Sequence, residues 1–90
     1  MRPTREQIDR YRKLREVEPG LLRLEQRIRR DPAKGKSRAY GAWYDLYKPQ
    51  LERLVGFSAK NKAVKDMESY DAAYRVLHYL LASRKPGDWL

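Results

Sequence analysis

Apolar residues recur at helical spacing along most of the chain. From Ile8 the series runs Tyr11, Leu14, Val17, Leu21, Leu24 and Ile28, in steps of three and four that keep one face of a helix apolar. Thr4 and Gln7 precede it as a T-x-x-Q capping box, so a helix should start at Thr4. Pro19-Gly20 interrupts the series, yet the spacing keeps its phase across the break. That continuity predicts one long helix over residues 4–30, kinked at Pro19, where proline removes an amide donor and crowds the preceding turn. Were Pro19-Gly20 a turn instead, the chain would hold four helices rather than three.

Residues 31–36 (DPAKGK) lose the period and read as a loop, with Ser37 as the expected cap of a second helix. Its stripe is Tyr40, Trp43/Tyr44, Tyr47, Leu51 and Leu54, with Leu46 and Val55 on the flanks. Pro49 lies inside the stripe and predicts a kink or brief break near Lys48, while Gly56 should end the helix. A third helix, capped by Ser58, carries Ala63, Met67, Tyr70, Tyr74, Leu77 and Leu81, widened by Ala73, Val76 and Leu80. It should run to about Ser83, leaving residues 84–90, with Trp89, as a tail.

Long helices joined by short connections predict an all-α antiparallel three-helix bundle, a single domain over residues 1–83. Pro19 and Pro49 lie at nearly equal distances from the loop that joins their helices, so two matched kinks could lie side by side. The shortage of β-branched residues and the wealth of Arg, Leu, Lys, Glu and Ala agree with helix.

Composition narrows the chemistry. The 90 residues include no Cys and one His, which excludes a disulfide framework, a thiolate metal site, a cysteine nucleophile and a His-rich metal site. His78 has no motif around it that would make it a catalytic base, and reads as a structural or surface histidine. Asp66, Glu68 and Asp71 are spaced so that they do not converge as metal ligands; pairing with nearby lysines such as Lys62 is the simpler expectation. Neither an enzyme nor a cofactor is expected. The first residues lack the apolar stretch of a signal peptide, and no segment is long and apolar enough for a membrane span, so a cytoplasmic protein with no membrane partner is expected.

Charge is the strongest signal. The formal net charge is +9, from 21 Lys+Arg against 12 Asp+Glu. Glu6–Arg10, Asp9–Lys13 and Glu25–Arg29 are spaced to pair along the first helix. Arg23, Arg27 and Arg30 instead share a face and lead into Lys34, Lys36 and Arg38. Residues 27–38 hold six basic residues and one acid. The bundle topology adds Arg84 and Lys85 at the same end, whereas Glu6, Glu52, Asp66 and Glu68 give the other end a mixed character.

These eight residues form the candidate nucleic-acid-binding site, with the loop lysines best placed to adapt to phosphates. Helices this long do not suit a helix-turn-helix, so backbone contact rather than groove reading is expected. The expected function is a small non-enzymatic factor, accessory or regulatory, that contacts nucleic acid backbone or a nucleoprotein complex. The alternative is a protein–protein module that meets an acidic surface or a second copy of itself. Tyr40, Tyr44 and Tyr47 could offer stacking faces to bases, but they share the stripe of Leu51 and Leu54, so core positions are expected of them, as of Tyr70 and Tyr74.

Overall fold

A computed structural model describes residues 2–55 and 67–84. Among these the chain is all-helical, with no strand. The first helix, α1 (Arg5–Val17), opens on the expected capping box: the Gln7 amide donates to Thr4 Oγ1 at 3.1 Å, and the Thr4 amide donates to Gln7 Oε1 at 2.9 Å.

The long kinked helix predicted over 4–30 does not form. Helix α1 stops at Val17, Glu18 leaves helical geometry (φ −128°, ψ 88°), and α2 (Gly20–Arg29) starts after Pro19. Pro19 has no amide to continue α1, but its φ of −62° suits the start of α2. The chain reverses here. The Tyr11 hydroxyl and an Arg15 guanidinium N–H both reach Glu25 Oε1 at 2.7 Å. In a continuous helix residues 11 and 25 would be about 21 Å apart along the axis, beyond the reach of both side chains. The apolar period survives the turn because both helices face one core. Val17, which bridged the two halves of the stripe, is 78% exposed.

Residues 30–38 form a looped turn. Helix α3 (Ala39–Ala42) follows, then a π-helical turn (Trp43–Tyr47), then α4 (Lys48–Val55), which together make one helical run. Its cap position is Arg38, with no side-chain cap bond, rather than the expected Ser37. The irregularity expected near Lys48 is the π turn, in which the Lys48 amide donates to the Trp43 carbonyl five residues back. Pro49, just beyond it, could not have supplied the ordinary bond to residue 45. With Pro19 in a turn, no pair of matched kinks exists.

The π turn also sets which side chains are buried. Ala39, Trp43, Tyr47 and Leu51 face the core, spaced four apart. In an unbroken α-helix three steps of four overshoot three full turns by about 120°, and one extra residue in a wide turn removes most of that drift.

The last described helix, α5 (Met67–Ala82), ends close to the predicted Ser83. Ser58, Ala63, Gly56 and Trp89 lie outside the described residues. Cross-contacts give the helix directions. Arg10 of α1 meets Glu68 of α5 at 3.0 Å, and Arg27 of α2 bonds Gln50 of α4 at 3.0 Å. Tyr70 of α5 reaches Glu52 of α4 at 3.5 Å. Helices α1 and α2, the α3–α4 run and α5 therefore alternate in direction, and one buried cluster draws on all of them, centred on Tyr11, Leu24, Ile28, Trp43, Leu51 and Leu77.

Candidate functional site

The loop between α2 and α3 is built around one carboxylate. Asp31 Oδ1 accepts the Ala33 amide at 2.7 Å, and Asp31 Oδ2 accepts the Tyr47 hydroxyl. The Tyr47 bond, then the Ala33 amide, then the Arg38 charge hold the Asp31 carboxyl below its ordinary range. Burial, reinforced by Asp31, pushes the Tyr47 phenol up to about 12. The one acid in the basic run thus fixes the loop to the π turn.

Gly35 fixes the loop's other side. Its φ of +73° is a left-handed conformation that suits glycine. Its amide donates to the Leu81 carbonyl at 2.8 Å, and its carbonyl accepts Arg84 Nε at 3.3 Å. The end of α5 therefore meets the loop, as the sequence led us to expect.

The predicted site residues occupy two adjoining regions. Arg30, Lys36 and Arg38 are exposed around the loop, Lys34 is half-buried there, and Arg84 packs against Gly35. Arg23 and Arg27 lie on α2, where they line a groove of about 330 Å³ against α4 with Gly20, Leu24, Gln50, Arg53 and Leu54. Lys85 lies outside the described residues. Arg53 was missed from sequence. Its separation from Arg23 and Arg27 hides the relation, which depends on the antiparallel contact of α2 with α4. Gly20 packs closely on α4: a Cβ there would come within 2.5 Å of Leu54 Cδ2, whose side chain would have to turn aside.

Acids are distributed differently. Glu25, only 5% exposed, binds Arg15 at 2.7 Å, Arg29 at 3.3 Å and the Tyr11 hydroxyl. Arg29 is the predicted i,i+4 partner. Arg10 reaches Glu68 across to α5, and Asp9 pairs with Arg12 at 3.7 Å rather than with Lys13. Lys48 pairs with Glu52, and Arg75 with Asp71. Among the described residues, Arg23, Arg30, Lys34, Lys36 and Arg38 make no ion pair. Glu6, Glu68 and Asp71 line a separate groove with Gln7 and Arg10.

The tyrosines divide. Tyr47 and Tyr70 are buried and Tyr74 packs against the core, as expected. Tyr40 and Tyr44 are 60% and 57% exposed, which overturns the expectation of core positions for both. The π turn explains the error: Trp43 takes the inward position of the first turns, and the run of four-residue steps begins at Ala39 instead of Tyr40.

His78 is half-buried among rings. It stacks on Tyr74 (5.8 Å, 12°) and lies 5.9 Å from Tyr40, while Trp43 meets it edge-on at 5.2 Å. Burial lowers its pKa from the ordinary 6.5. Among the described residues, no group of three His, Asp or Glu side chains is placed to hold a metal ion, and no helix is long and apolar enough to cross a membrane. Comparison with models of protein families, with curated proteins and with solved structures finds no match to this chain.

Proposed function

We propose that the chain is a small non-enzymatic binding protein of the cytoplasm whose basic surface contacts nucleic acid backbone, as an accessory or regulatory factor in a nucleoprotein complex. The observation that carries this is the segregation of charge. Asp9, Glu25, Glu52, Glu68 and Asp71 are paired with cations away from the loop, and Asp31 is bound to Tyr47, while five predicted site cations have no ion-pair partner among the described residues. Cations left unneutralised on one surface attract a polyanion and are released from it by salt. An acidic protein surface is the other partner such charge would suit, and the test separates the two.

Binding of a labelled single-stranded oligonucleotide, followed by fluorescence anisotropy, should be compared for two charge-matched variants. Lys34→Glu/Lys36→Glu and Arg12→Glu/Lys13→Glu each change the formal charge by the same amount from +9. The loop pair should weaken binding at least about tenfold at low salt, and the α1 pair much less. Equal losses would mean that only net charge matters. Tighter binding of poly-glutamate than of the oligonucleotide would favour a protein partner.

A further inference from the structure

Tyr40 and Tyr44 are large rings left in solvent on a face whose backing is rigid. Behind them, Tyr74 and His78 lie nearly parallel, and Trp43 meets both edge-on, at 5.0 and 5.2 Å between centroids. Tyr40 lies 5.9 Å from His78, and the Tyr74 hydroxyl is near enough to Tyr44 to push its phenol pKa up. Trp43 is fully buried, so the layer beneath is packed. The outer rings are therefore held from within and open without. Between them on the chain is Gly41, where an added Cβ would meet nothing within 4 Å.

Three features select the occupant. The rings present flat faces, and aromatic faces stack on unpaired bases whatever the base. Tyr40 and Tyr44 are one helical turn apart, about 6 Å of rise, close to two base spacings of about 3.4 Å along a strand. Cations lie at the end of the run where the patch begins: the loop lysines and Arg38 precede Tyr40 in the chain, and Arg84, six residues beyond His78 and just past the end of α5, donates to the Gly35 carbonyl of that loop. Of the acids near the patch, Asp71 is paired with Arg75 at 3.4 Å, while Asp45, next to Tyr44 in the chain, is exposed. A duplex hides its base faces in the stack, whereas a single strand can turn them outward.

We infer that Tyr40 and Tyr44 form a base-stacking surface for single-stranded nucleic acid, with the strand's phosphates running onto Arg38 and the 31–38 loop. This presupposes the polyanion surface proposed above, and specifies its ligand.

The probes are an oligothymidylate of about a dozen nucleotides, an abasic deoxyribose-phosphate strand of equal length, and heparin. The full-length protein should bind oligothymidylate at least about tenfold more tightly than the abasic strand. Tyr40→Ala/Tyr44→Ala should lower oligothymidylate affinity about 10- to 100-fold and leave abasic-strand binding unchanged. Tyr40→Phe/Tyr44→Phe, which keeps the rings, should restore it. Far-UV circular dichroism of each variant confirms that the helices persist. Equal binding of the two strands, or no effect of the alanine pair, overturns the stacking surface. If the strands bind equally and Lys34→Glu/Lys36→Glu weakens both, the basic surface stands without it. If neither strand nor heparin binds, both proposals fall.

Discussion

At the scale of single residues, Glu25 has the most to lose. It is buried and accepts hydrogen bonds from a phenol and two guanidinium groups, which tie α1 to α2. Glu25→Ala would strand the Tyr11 hydroxyl and leave Arg15 and Arg29 facing each other. Both arginines remain partly solvated, so the loss should fall below that of a fully buried pair, about 2 kcal/mol. Urea denaturation should show it as a lower midpoint, and Glu25→Gln, which keeps an acceptor, should cost less. His78 gives a second test. Its folded pKa lies below the ordinary 6.5, so the unfolded chain binds the proton more readily. The stability this contributes is present above pH 6.5 and is lost as pH falls from there through the folded pKa. A melting temperature followed from pH 7.5 down to about 5 should decline, and His78→Phe should flatten that decline. A wild-type profile already flat over this range would show that His78 is not desolvated.

At the scale of elements, the turn and the loop depend on two residues with special backbone roles. Pro19 starts α2 with its φ already set, so Pro19→Ala should bring no gain in stability and a loss of up to about 1 kcal/mol, by chemical denaturation. A clear gain would restore the single long helix. Gly35 cannot accept a side chain without strain: its φ is positive, and a Cβ would come within 3.1 Å of the Arg84 Cα. Gly35→Ala should cost about 1–2 kcal/mol and loosen the junction of the loop with α5, seen as faster amide exchange at Gly35. The same elements show what sequence could and could not reveal. The Thr4–Gln7 cap was legible because it is local, within one turn. The existence of the helices was legible because period alone betrays them. The turn at Glu18–Pro19 was masked because Val17 kept the apolar rhythm while pointing to solvent. Tyr40 and Tyr44 were misplaced because one wide turn re-phases the run, and Pro49, its neighbour in sequence, signals an irregularity without saying which kind. The Arg29 partner of Glu25 was legible from its i,i+4 spacing, but its bonds to Tyr11 and Arg15, and the place of Arg53 in the groove, were not, since each depends on a contact that the fold alone creates.

At the scale of the whole molecule, what matters is how a charge of +9 is arranged. Much of the α1–α5 side is compensated by cross-helix and local pairs, while the loop between α2 and α3 and the α2–α4 groove hold cations without them. Those cations cost little in the folded state because they are exposed, Lys34 being the half-buried exception. A bound strand would displace counterions in proportion to the phosphates it brings against them. For single strands the logarithm of the binding constant falls with the logarithm of salt at about 0.7 per phosphate contact. If Arg30, Lys34, Lys36 and Arg38 each hold one phosphate, the slope should be close to −3. Lys34→Glu/Lys36→Glu should remove two of those contacts and reduce the slope by about 1.4. Tyr40→Ala/Tyr44→Ala should lower affinity at every salt concentration with the slope unchanged, because stacking releases no ions. Anisotropy titrations between about 50 and 200 mM salt separate the two behaviours. A slope that shifts equally for both variants would mean that the rings and the loop are not separate parts of one surface.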